Sequence, residues 1–156
     1  MASLFRRENA LAAIGWGGLI AGTLDILSAF VLAGMRGRGP DVVLHYIASG
    51  LLGVSAFRGG WPTGFLGLAC HFAIAYGAAA AYWYLSRVMP VLVKRPVICG
   101  LLYGIPVYLV TNFVIVPLSK IGMRPLGPPS GIVIALAVLM VFVGVPIAMA
   151  TQRYSR

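Results

Sequence analysis

Acidic residues are nearly absent from this chain. Its 156 residues include 3 Asp+Glu against 12 Lys+Arg, and charged residues of both signs make up 10%. A soluble domain carries about 25% charge. With 60% of residues apolar and a mean hydropathy of +0.95, soluble, disordered and fibrous classes are excluded. A small polytopic membrane protein remains. A net charge of +9 would point to nucleic acid in a soluble protein. Here the bases fall in ones, twos and threes between apolar stretches, and no run is long enough for a nucleic-acid patch. That is the pattern of headgroup anchoring, so the partner is the lipid bilayer and not nucleic acid. Cysteine is scarce too. Cys70 and Cys99 lie in apolar segments without CxxC or metal-like context, and read as small packing residues.

The signatures of catalysis are also missing. GxSxG, HExxH, Walker A and GxGxxG do not occur. Ser28, His71 and Asp25 make a Ser-His-Asp set on paper, as any polar trio in a bundle does, but no oxyanion-hole signature goes with it. A zinc site needs more convergent ligands than the chain offers. Haem held by two histidines would need His45 and His71 at one depth on facing helices, and His45 reads as interfacial. The expectation is a non-enzymatic protein with no metal or cofactor.

What is present is hydrophobic length. Four segments can cross a bilayer as helices: 10–33, 63–85, 96–118 and 130–151, each roughly 33–36 Å long at about 1.5 Å per residue. The first follows Arg6 and Arg7 like a signal peptide. It runs well past the roughly 7–15 residues of an h-region and contains Asp25, so it reads as an uncleaved span. Breakers fill the connections, as in RGRGPD at 36–41 and GMRPLGPPS at 122–130.

Segment 41–57 is shorter. Val43, Leu44, Ile47, Leu51 and Val54 gather on one side of a helical wheel, and Asp41, His45, Ala48, Ser49 and Ala56 on the other. That split predicts an amphipathic helix lying in the interface or re-entering slightly, with a fifth span as the alternative. The fold class predicted is therefore all-α: a transmembrane four-helix bundle plus this short helix, in one domain over 1–156. With both termini inside, Arg6, Arg7, Arg87, Lys94, Arg95, Arg153 and Arg156 fall inside and Arg36, Arg38, Arg58, Lys120 and Arg124 outside. The positive-inside rule favours that orientation weakly. Trp61, Tyr82, Trp83, Tyr84 and Tyr154 mark span ends as an aromatic belt. A kink is expected near Pro106.

Small residues recur at packing spacing: Gly18 and Gly22 in the first span, Ala69, Ala73, Gly77 and Ala81 in the second, Gly100 and Gly104 in the third. In lipid such stripes let helix backbones approach. The ladder from Ala69 to Ala81 is expected to be a close helix contact, within one chain or between protomers.

The second and third spans, CHFAIAYGAAAAYWYLSRVMP and GLLYGIPVYLVTNFVIVPLSKIGMRP, resemble the YagU-like small inner-membrane proteins of bacteria. The shared pattern is a His opening a span of aromatic and small residues, a Gly-rich next span, and a Pro-Leu exit before a Pro-containing loop. GGLIAGTLDILSAFV in the first span is more loosely similar. The resemblance covers about half the chain. It implies a helical bundle of the bacterial inner membrane and little chemistry.

Depth counting brings three polar residues together. In the four-span arrangement Asp25 and His71 each lie about 12 Å from the outer end of their helices, and Asn112 about 9 Å. An unpaired Asp near mid-membrane costs roughly 2.5–3.5 kcal/mol on insertion scales, so it should face inward and find partners. The expectation is that Asp25 accepts a hydrogen bond from His71, with Asn112 and one of Thr23, Ser28 or Thr111 completing the set. Three functional classes stay open. The first is a structural or accessory bundle, as a homo-oligomer or a subunit of a larger membrane assembly. The second is a small transporter or channel protomer using the polar cluster. The third is a bundle binding lipid, haem or pigment.

Overall fold

A computed structural model describes residues 7–125 and 127–155. Arg6 and Arg156, counted in the charge asymmetry, lie outside them. Every regular element among the described residues is helical. The elements are α1 (Arg7–Gly34), α2 (Pro40–Leu52), a 3-10 turn (Gly53–Arg58), α3 (Gly60–Val88), the short α4 (Val91–Lys94), α5 (Pro96–Leu118) and α6 (Pro129–Tyr154). Five segments are long and apolar enough to cross a membrane, the four long helices and Pro40–Arg58. The exterior is apolar as well as the interior: Leu19, Leu24, Leu27 and Val31 all face outward from α1. A helix hydrophobic all round suits lipid rather than water.

Glycine contacts set the direction of each helix. Gly18 lies on the ring of Tyr76, and Gly22 on Phe72 and Ala75. As α1 ascends, α3 therefore descends. Gly100 meets Gly144 and Val145, and Gly104 meets Leu139 and Met140, so α5 and α6 are antiparallel too. Gly17 touches Ile147 and Ala150 of α6. Packing runs in the order α3, α1, α6, α5, while α3 and α5 make few close backbone approaches. Tyrosines bridge that gap at one end. Tyr82 and Tyr103 rings meet edge to face at 4.8 Å, the Tyr103 hydroxyl donates to the Ala78 carbonyl at 2.8 Å, and that of Tyr82 to the Leu92 carbonyl at 3.1 Å. With Ala21, Ala79, Val143, Ile147 and Ala148 they form the solid half of the core.

α2 lies across the other end. Pro40 opens it after Gly39, and Gly53 ends it with φ +69°, a backbone that side chains resist. Its 13 residues reach about 20 Å. Leu44 and Ala48 press on Gly67 of α3, and the Lys120 amide donates to the Gly50 carbonyl at 2.8 Å.

Several expectations need correcting. The two sides of the 41–57 wheel differ in the structure: Ala48, Ser49 and Ala56 are buried against the bundle, whereas Leu51 and Val54 are exposed. Ala48 is small enough to slide under Gly67, and Ser49 satisfies itself on the Tyr46 carbonyl at 2.6 Å. The stripe of Ala69, Ala73, Gly77 and Ala81 faces outward, and Gly77 meets nothing. The face of α3 that packs is Gly64, Gly67, Ala75 and Ala79. Trp61 and Tyr84 are exposed as belt residues would be, but Tyr82 and Trp83 are core. Pro106 lies inside the helical stretch Pro96–Val110. The ladder widens to π-helix before Pro117 and Pro146. There the Val116 amide reaches back to Thr111 and the Val145 amide to Met140.

Candidate functional site

The gap between α3 and α5, closed by tyrosines at one end, stays open at the other as a cavity of about 330 Å³. α1 contributes Asp25, Ile26 and Ala29 to its wall, and α3 contributes His71, Ile74, Ala75 and Ala78. Val107, Thr111 and Ile115 come from α5, and Leu139 and Val143 from α6. Val43, Tyr46, Ile47 and Gly50 of α2 form the roof, with Ser119 and Ile121 beside them. Both π-helical segments, Thr111–Ile115 and Leu139–Gly144, thus line the cavity. The cause is local. Pro117 and Pro146 have no amide to donate, so the preceding turn widens, and such turns gather at functional sites.

The polar inventory is small and leans toward acceptors. His71 Nε2 lies 2.8 Å from the Gly22 carbonyl oxygen. A carbonyl only accepts, so Nε2 carries the proton and donates, and in the neutral ring Nδ1 is left as an acceptor. Asp25 and His71 are electrostatic neighbours on the cavity wall. Among the described residues no hydrogen bond or ion pair engages the Asp25 carboxylate, and no sealed side-chain oxygen or nitrogen lacks a partner. The carboxylate therefore opens onto the cavity. Ser119 has donated its hydroxyl to the Val116 carbonyl at 2.7 Å and accepts from the Ile121 amide.

The expected cluster is thus divided. Asp25, His71 and Thr111 share the cavity, but His71 bonds to the backbone of α1 rather than to Asp25. Asn112 is turned away. Its amide donates to the Tyr108 carbonyl at 3.0 Å, and it lines a second, outer chamber of about 230 Å³. Consecutive helical residues point about 100° apart, so an inward Thr111 sends Asn112 elsewhere. Thr23 is exposed. Ser28 bonds to the Asp25 backbone carbonyl at 2.7 Å. His45 bonds to the Gly60 carbonyl at 2.9 Å, at the turn between the 3-10 segment and α3. The packing glycines Gly18, Gly22, Gly100 and Gly104 all meet a neighbouring helix.

Tyr46 and the two π segments are the site elements that depth counting missed. A signal existed for the latter. Phe113–Pro117 reads FVIVP and Phe142–Pro146 reads FVGVP, so one pentapeptide pattern recurs at both. Among the described residues no group of His, Cys, Asp and Glu is placed to hold a metal ion. Comparison with known protein families, curated proteins and solved structures finds no match for this chain.

Proposed function

We propose that the chain is a non-enzymatic, multi-pass membrane protein that binds a small, mainly apolar molecule carrying a hydrogen-bond-donating basic group. One observation carries this reading. A mainly apolar cavity between the helices contains an open carboxylate and a histidine already committed as a donor elsewhere. The volume of about 330 Å³ falls within the roughly 300–1,000 Å³ of small-molecule sites. An amine fits the surplus of acceptors, and its hydrocarbon fits the rest of the wall.

The topology that goes with it has four crossings, both termini on the cytoplasmic side of a bacterial inner membrane, and α2 across the outer face. The antiparallel pairing of α1 with α3 supports it. A crossing by Pro40–Arg58 between them would make those two helices parallel. The break at Gly53 also leaves α2 shorter than the roughly 30 Å hydrocarbon core.

The test is binding in mild detergent. Cyclohexylamine should raise the melting temperature of the wild-type protein more than cyclohexane does, and the Asp25→Asn variant should lose the difference. Equal shifts by amine and hydrocarbon would remove the polar half of the proposal.

A second reading has its own observation. The outward stripe of Ala69, Ala73, Gly77 and Ala81 offers a flat face to another helix. It favours an accessory role in a homo-oligomer or a larger membrane complex. A detergent-free mass above the monomer that Gly77→Leu returns to the monomer would support it.

A further inference from the structure

Two chambers meet at Tyr46 and Val116. The inner cavity holds Asp25 and His71, and the outer chamber holds Asn112 and Arg124. Tyr46 and Val116 line both. Val116 belongs to the frame of α5, whereas Tyr46 hangs from α2 by its own side-chain torsions. Its ring lies under Arg124, whose guanidinium carbon is 4.8 Å from the ring centroid. The same guanidinium donates a hydrogen bond to the Tyr46 hydroxyl. Arg124 sits in the α5–α6 connection, beside Met123, which is 90% exposed. At the far end of the inner cavity Tyr82, Val143 and Ile147 fill the core.

We infer that solutes reach the inner cavity from the α2 end through the outer chamber, with Tyr46 as the partition between the two and Arg124 as the latch that holds it. The inference rests on the reading of the inner cavity as a binding site and adds its entrance and its selectivity. A cation at the mouth repels permanently charged cations. Neutral weak bases pass and meet an acid only inside. The protein would therefore take an amine in its uncharged form and discriminate against quaternary ammonium ions of the same size.

Cysteine labelling tests the route without any ligand. Thr111→Cys is placed in the inner cavity of a Cys70→Ala, Cys99→Ala protein, in sealed vesicles of known orientation. A neutral hydroxyethyl and a cationic trimethylammonioethyl methanethiosulfonate are the probes. From the α2 face the neutral reagent should react faster than the cationic one. Tyr46→Ala should raise both rates about tenfold, since the rate follows the fraction of time the partition is open. Tyr46→Phe keeps the packing, loses the hydroxyl, and should give a smaller rise. Arg124→Gln should narrow the gap between the reagents. Met123→Cys, in the outer chamber, should label with the neutral reagent equally in every background and reports a folded, accessible face. Rates unaffected by Tyr46→Ala and Tyr46→Phe, or labelling of Thr111→Cys from the opposite face, would overturn the route. Labelling as expected without amine binding would overturn the ligand reading and leave the route standing.

Discussion

Asp25 illustrates how far a single residue can be read. Its distance from the end of its helix is legible from the sequence, because rise per residue is constant along a helix. Its surroundings are not, because they depend on how four helices rotate about their axes. Depth counting places Asn112 near the same level, yet Asn112 lines the outer chamber while its neighbour Thr111 lines the inner one. Since no hydrogen bond or ion pair from a described residue engages the carboxylate, removing it should not harm the fold. Asp25→Leu should melt no lower than wild type, as it removes roughly 2.5–3.5 kcal/mol of insertion cost. Asp25→Asn and Asp25→Leu should both lose the selective response to amine, which thermal unfolding reads directly. His71 differs, since it ties α3 to α1 through the Gly22 carbonyl. His71→Leu should cost about 0.6 kcal/mol, the typical worth of one interhelical bond, seen as a slightly lower melting temperature.

At the scale of elements, spacing finds candidate stripes but does not say which one a helix uses. α3 carries two. Ala69, Ala73, Gly77 and Ala81 look outward, whereas Gly64, Gly67, Ala75 and Ala79 pack. The second set is less regular in sequence, yet it is the one beneath α1 and α2, because Gly67 lets the Leu44 carbonyl come against its backbone. Two substitutions separate these faces. Gly77→Leu should leave the melting of the monomer unchanged. Gly100→Ala should be destabilising by about 1–3 kcal/mol, the range for overpacking. Its new methyl would stand 2.7 Å from the Gly144 carbonyl oxygen and 2.8 Å from the Val145 Cα. Backbone atoms cannot move aside as a flexible side chain does. The prolines make the same point. Pro106 lies within α5, while Pro117 and Pro146 coincide with π-helical turns, and both of those turns border the cavity.

The whole molecule is asymmetric from end to end. One half is filled by Tyr82, Tyr103, Val143 and Ile147, and the other is hollow beneath α2. The four-crossing topology has a direct check. Reporter fusions at Arg87 and after Arg156 should both read cytoplasmic, and fusions at Arg38 and Arg58 should both read on the opposite side. Unlike readings at Arg38 and Arg58 would make Pro40–Arg58 a span. The sequence by itself determined the helical class, the four long apolar segments, the glycines of α1 and α5 as contact points, and the exceptional place of Asp25. Each follows from composition or from distance along one chain. The tertiary structure alone decided that α3 and α5 stand apart, that α2 roofs the space between them, and that Tyr46 rather than Asn112 borders the site. Those depend on helix rotation and on which small residues meet, and both are set by packing between segments far apart in the chain.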